Sequence, residues 1–204
     1  MGIRRQLDTF EKKVLKEVGL VYNGLAWLEL GDQRNRMRKK PAKLIYEARG
    51  VTHTSIDLNG KNGALPLDLD EPLPEEYTNR FDVVTNYGTI EHVGNQYQVF
   101  KTVHDSCKMD GVMIHGFPMK DTFAGHCRYY YPEEFTERFA GYTVYEIIAQ
   151  EIIDFSAYGR ARHLLTVGFK KIGSYPFISE KEFAKLPIHD SGNVKRTGNY
   201  NARR

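Results

Sequence analysis

The sequence predicts an α/β fold in which a mostly parallel sheet is covered by helices on both faces and closed by an antiparallel hairpin. Three observations carry this reading. Short apolar runs alternate with helical or polar segments across residues 25–117, and parallel strands need such covering crossovers. Near the end, YTVYEIIAQEI (142–152) and HLLTVGFKKI (163–172) are two β-rich runs with no strong helical pattern between them, the arrangement of a hairpin. Finally, several runs end in an acid or a glycine, and an open α/β sheet binds ligands beyond its strand ends.

Taken in order, Leu7, Phe10, Val14, Val18 and Val21 recur at helical spacing and predict a helix over 8–19. Asp8 and Glu11 have the spacing of a capping box, and Gly19 suits the C-terminal end. LAWLEL (25–30) predicts the first strand. Pro41 forbids a helix running straight on from Asp32, so a longer loop is expected at 32–40 and a helix over 41–49. HTSIDL (53–58), ALPLDL (64–69), FDVVTNY (81–87) and GVMIHGF (111–117) predict four more strands. Helices are expected at 95–108 and at 132–140, the latter with Pro132 in an N1-like position. Residues 1–186 read as one domain, and 187–204, rich in Asn, Gly, Lys and Arg, as a flexible basic tail.

A chain of 204 residues, 41% hydrophobic and 12% aromatic, is long enough for a sizeable core and too apolar for wholesale disorder. The net charge of +3 says little about partners, but its distribution is uneven. Residues 57–82 hold seven acids, whereas 34–43 hold six basic residues and no acid. That basic run has no interleaved aromatics, unlike a base-stacking platform, so a nucleic-acid partner is not favoured. Cys107 and Cys127 form no CxxC pair and suit a reducing compartment. No apolar run reaches the roughly 20 residues of a membrane span, and the start lacks an apolar leader, so a cytoplasmic protein is expected. His104-x-x-Cys107 and His126-Cys127 lack the tight paired spacing of structural zinc sites, and no metal is predicted.

The series LELG, SIDL, LDLDEPL, FDVVTNYGTIEHV and GVMIHGFP resembles the class I S-adenosylmethionine-dependent methyltransferases, most of all their small-molecule branch, over about residues 20–172. The resemblance implies a Rossmann-like three-layer sandwich with seven strands in the order 3-2-1-4-5-7-6. It implies S-adenosylmethionine as cofactor and methyl transfer to an O or N atom of a small-molecule acceptor. Glu29 and Gly31 would then lie at the cofactor's methionine end, Asp57 at its ribose and Leu58 beside the adenine. Asp68 and Leu69 would lie at the adenine edge, and Asn86, Tyr87 and Gly88 beneath the reactive sulfonium. Glu91 and His92 would form the turn beyond. The family pattern ExGxGxG reads here Glu29-Leu-Gly31-Asp-Gln33-Arg-Asn35, so one glycine survives and Gln33, or an arginine from 34–38, is expected to hold the methionine carboxylate instead.

On the acceptor side, the segment Gly125-His126-Cys127-Arg128-Tyr129-Tyr130-Tyr131-Pro132 lies where such enzymes build part of their substrate pocket. His126, with His92, is the expected proton acceptor. Glu91, Tyr129 and Tyr130 are the expected acceptor contacts. A helix before the first strand, within residues 1–24, often closes over the cofactor in this family. The lost glycines also admit a second reading, a degenerate fold that serves as a non-catalytic binding module, with nucleic acid as one partner.

Overall fold

The computed structural model describes residues 2–123, 125–158 and 162–193. Its first helix, α1 (Arg5–Glu17), presents the expected stripe, with Leu7, Phe10 and Val14 all fully buried. The helix nevertheless begins one turn before the expected start, and Arg4 at its N-cap makes no side-chain cap bond. Asp8 and Glu11 do not form a capping box because tertiary partners claim both. Asp8 pairs with Lys12 at 2.6 Å and Arg49 at 3.1 Å, and Glu11 accepts hydrogen bonds from three tyrosines. Gly19, at φ +71°, turns the chain out of the helix as expected.

Strand β1 (Ala26–Leu30) is followed by a two-residue ribbon, β2 (Arg34–Asn35) with β3 (Lys40–Pro41), then by α2 (Ala42–Glu47) and β4 (Thr52–Ile56). After a long acidic connection come β5 (Phe81–Tyr87), α3 (Gln96–Ser106) and β6 (Cys107–Pro118). The last part holds β7 (Tyr129–Tyr130), α4 (Glu134–Thr143), β8 (Tyr145–Asp154), β9 (His163–Lys171), α5 (Glu180–Phe183) and β10 (His189–Asp190).

The main sheet has six strands in the order β4-β1-β5-β6-β9-β8. Its first four strands run parallel, and β9 with β8 forms the expected antiparallel hairpin at one edge. The expected seventh strand, ALPLDL, is missing from the edge beyond β4. Only Leu65 keeps a parallel bridge to Ile56, because Leu67 N, the next donor that could face β4, turns back to Leu65 O at 2.8 Å.

The sheet is buried on both faces, which is why β1 reads as a continuous apolar run. On one face Leu28, Leu30, Val84, Met113 and Phe117 pack against α3 and α4 through Phe100, Phe135 and Phe139. On the other, Trp27, Val83, Tyr87 and Val112 meet Phe10 and Val14 of α1 and Tyr46 of α2. Helix α1 is thus a layer of the core, and the part of the N-terminal segment that reaches the loop after β1 is Ile3. Its N–H donates to Arg34 O at 2.9 Å, and its carbonyl accepts from Arg36 N at 2.8 Å.

The expected flexible tail does not start at 187. Residues His189–Asp190 pair antiparallel with Tyr129–Tyr130, and Arg128 grips Asp190 at 2.9 Å. Just before it, Ser179 and Glu182 form a reciprocal capping box on α5. Residues 194–204 lie outside the described residues.

Candidate cofactor and acceptor site

From β1 the chain crosses to β4 on one side, and β5 lies on the other, so the strand order reverses between the C-terminal ends of β1 and β5. That reversal opens a crevice where this class of sheet binds ligands. It brings together Glu29, Gly31, Gln33, Asp57, Asn86, Gly88 and Thr89.

Gly31 takes φ +84°, and its N–H continues the sheet by donating to Ile56 O at 2.7 Å. A Cβ added there would lie 2.3 Å from Thr89 Oγ1 and 2.9 Å from Gln33 Nε2. Gly31→Ala is therefore expected to destabilise the protein by at least about 2 kcal/mol, from left-handed strain plus displacement of Thr89. Urea unfolding checks this, and an unchanged midpoint would contradict the close approach.

Gln33 stands where the family pattern has its second glycine, and it is buried. Its backbone N–H donates to Glu29 Oε2 at 3.3 Å, while its side-chain amide donates to Thr89 Oγ1 at 3.3 Å. The β2–β3 ribbon and Ile3 hold the loop behind it.

Glu29 is almost fully buried; its Oε1 has no hydrogen-bond partner, and its Oε2 lies 3.6 Å from His53 Nε2. Burial pushes the Glu29 carboxyl well above the usual carboxylate range and lowers His53 to about 4, so both charged forms are disfavoured. At the end of β5 the Asn86 side-chain oxygen Oδ1 accepts from Thr89 N and Ile90 N at 3.0 Å each, and the buried Nδ2 of the same amide has no partner. Asp57 receives Asp32 N on Oδ2 at 3.0 Å and Asn59 N on Oδ1 at 3.1 Å, and it stays half-buried at the crevice edge. Leu58 and Leu69 are buried nearby in sequence order after β4.

Other expected residues have different surroundings. The Tyr87 side chain points to the α1 face, where its hydroxyl donates to Glu11 Oε2 at 2.9 Å. Only its backbone and Gly88, at φ +100°, lie along the strand end. Asp68 receives Asp70 N at 3.0 Å and lines an open cleft of about 720 Å³ with Asp70, Gly94, Gln96 and Arg128.

Beyond β5, the turn Ile90–His92 meets the segment 126–131. Glu91 is fully buried, neither carboxylate oxygen has a hydrogen-bond partner, and burial raises its carboxyl to about 7. His92 Nε2 lies 3.9 Å from Glu91 Oε1, and burial lowers His92 to about 3, which keeps it neutral. The His92 and His126 rings meet edge to face at 5.2 Å.

The tyrosines tie this segment down. Tyr129 donates to Gly94 O at 2.8 Å, Tyr130 to Phe123 O at 3.2 Å, and Tyr131 to Gln96 Oε1 at 2.6 Å. Gln96 in turn donates to the carbonyls of Ile90 and Val93. Sequence reasoning missed Thr89 and Gln96, whose parts depend on contacts across the turn. It also did not join Cys127 to His92. The four residues weighed for zinc divide into two places, since His104 bonds the Tyr145 hydroxyl and the Tyr175 carbonyl, away from His126.

The donor set suits S-adenosylmethionine in kind. A buried carboxylate oxygen and a buried amide without partners sit at the strand reversal, and a two-oxygen acid stands at the end of the neighbouring strand.

No protein-family model matches the sequence, and no curated protein matches it. Solved structures do. The Burkholderia thailandensis 1,6-didemethyltoxoflavin-N1-methyltransferase, with bound 1,6-didemethyltoxoflavin and S-adenosylhomocysteine, has a TM-score of 0.56 at 15% identity, over 83% of this chain and 82% of that one. The [4+2]-cyclase SpnF has a TM-score of 0.59 at 14% identity, over 85% and 84%. A methyltransferase from Methanosarcina mazei described as dependent on S-adenosylmethionine has a TM-score of 0.57 at 10% identity, over 84% and 99%. These likenesses lie at the level of the fold, and SpnF illustrates that one fold serves different chemistries. The six-stranded sheet with its terminal hairpin is the class I S-adenosylmethionine-dependent methyltransferase fold.

Proposed function

We propose that the chain binds S-adenosylmethionine at the reversal between β1 and β5 and transfers its methyl group to an O or N atom of a small acceptor in the cytoplasm. The observation that carries this reading is the set of unpartnered buried polar atoms, Glu29 Oε1 and Asn86 Nδ2, at the strand reversal. A buried polar group without a partner costs free energy, and a polar ligand removes that cost.

When bound, the cofactor supplies a methyl group on a sulfonium, already a good leaving group. The protein's own residues therefore need mainly to position and to exclude water. Asp57 takes the ribose hydroxyls, Glu29 faces the methionine ammonium, and Gln33 with Gly31 borders the methionine end. Leu58, Asp68 and Leu69 border the adenine. Asn86, Gly88 and the Tyr87 backbone form the floor. On the acceptor side, neutral His92 offers an unpartnered Nδ1 for a proton, with His126 beside it and Glu91, Tyr129 and Tyr130 around the acceptor.

This assignment predicts a proton linkage. Burial raises Glu29 in the free protein, and a neighbouring ammonium would lower it in the complex. Binding should therefore release a proton, and affinity should rise with pH between the bound and free values of Glu29. Calorimetry in two buffers of different ionisation enthalpy checks this. Heats that do not depend on the buffer would remove Glu29 from the ammonium site.

One observation favours a second reading. Gln33 fills space beside Gly31, while Arg34, Arg36, Lys39 and Lys40 of the adjoining ribbon are exposed. A degenerate fold that binds nucleic acid would show affinity falling steeply with salt. Affinity for RNA or DNA that is absent, or indifferent to salt, counts against it.

A further inference from the structure

Around the turn after β5, the metal-ligating atoms of His92, His126 and Cys127 all lie within 4.8 Å of one another. The three side chains come from two segments brought together by the Tyr129 and Tyr131 hydrogen bonds to the 94–96 region. Bond lengths near 2.0–2.3 Å to a tetrahedral zinc place donor atoms roughly 3.3–3.8 Å apart, so closure needs a movement of about 1 Å. His126 is exposed on its loop.

A second observation at the same place points to a cation. Glu91 is fully buried, receives no hydrogen bond from another residue on either carboxylate oxygen, and lies 3.9 Å from His92 Nε2. Buried carboxylates are ordinarily paired or set beside a metal. The buried Nδ1 of His92 likewise has no partner. A carboxylate beside one ring nitrogen, with the other facing a metal, is the usual way such a ligand is oriented.

We propose that His92, His126 and Cys127 bind one divalent transition-metal ion, with Glu91 positioning His92. Two imidazoles and a thiolate are a borderline-soft set that suits zinc over magnesium or calcium. Three protein donors leave one position open, the arrangement of sites that also hold water or a substrate heteroatom. The site stands on side-chain geometry and does not require cofactor binding. With a metal bound, the two histidines would be ligands rather than the proton acceptors proposed above, and the acceptor's proton would pass to water.

The test is a cobalt(II) titration of chelator-treated protein, followed by absorbance without S-adenosylmethionine. The expected result is one equivalent bound with visible d–d bands and a near-ultraviolet thiolate-to-cobalt band, displaced by zinc. Cys127→Ser should abolish the thiolate band, and His126→Ala, at an exposed position, should weaken cobalt binding at least tenfold. No cobalt band, a thiolate band that survives Cys127→Ser, or unchanged affinity in His126→Ala would overturn the proposal. Should Cys127→Ser not fold, His126→Ala alone decides. Calorimetry with S-adenosylmethionine on the same metal-free protein separates this outcome from that of the cofactor reading.

Discussion

Glu11→Ala is expected to lower the unfolding free energy by about 3–5 kcal/mol. One carboxylate on α1 serves three elements: Tyr22 donates to Oε1 at 2.8 Å, and Tyr46 and Tyr87 donate to Oε2 at 2.6 and 2.9 Å. Tyr46 and Tyr87 are buried, so truncation strands two hydroxyls that water cannot reach, at about 1–3 kcal/mol each. Arg49, 3.9 Å from Glu11 and 3.1 Å from Asp8, would also lose part of its setting. Tyr87→Phe removes one donor and leaves the others in place, so about 1 kcal/mol is expected. Urea unfolding of the two variants measures the contrast. A loss below 1 kcal/mol for Glu11→Ala would show that the network adds little. Because Tyr87 ends the strand that borders the crevice, the same network links the helix layer to the candidate site.

Asp57→Ala is expected to weaken S-adenosylmethionine binding by about 1.5–3 kcal/mol, roughly 10- to 150-fold, the value of a hydrogen-bonded charged contact. The carboxylate already receives two backbone amides, Asp32 N and Asn59 N. Alanine therefore also loosens the turn, and Asp57→Asn provides the control. Asparagine keeps an acceptor oxygen for one amide but loses the charge, so its affinity should fall between the wild type and Asp57→Ala. Wild-type affinity in both variants would remove the ribose assignment.

The main architecture follows from periodicity. The apolar and β-rich runs lie near all six strands of the main sheet, and β8 with β9 paired as the late runs suggest. Errors arose where tertiary contact overrides a local pattern. Asp8 and Glu11 have capping-box spacing but find stronger partners in Arg49 and three tyrosines. ALPLDL has strand composition, yet the ladder stops after one bridge, where Leu67 N turns back to Leu65 O. The loop 32–40, expected to be merely long, folds into a ribbon because Ile3 supplies a third strand-like partner.

In the site, strand ends were legible. Glu29, Gly31, Asp57 and Asn86 fall at the C-terminal ends of β1, β4 and β5, and topology alone places them together. The packing of Gln33 against Thr89 and the approach of Cys127 to His92 were not, since neither leaves a trace in local spacing. The tail misread at 187 has the same origin: His189–Asp190 is ordered by a partner strand far earlier in the chain.

The central claim is that a cofactor site survives the loss of two glycines. Calorimetric titration of the folded protein with S-adenosylmethionine, and separately with S-adenosylhomocysteine, tests it most directly. Micromolar binding of either, weakened in Asp57→Ala, is the expected result. Absence of binding to both, by protein whose unfolding transition is intact, would contradict it and leave the crevice as part of a binding module.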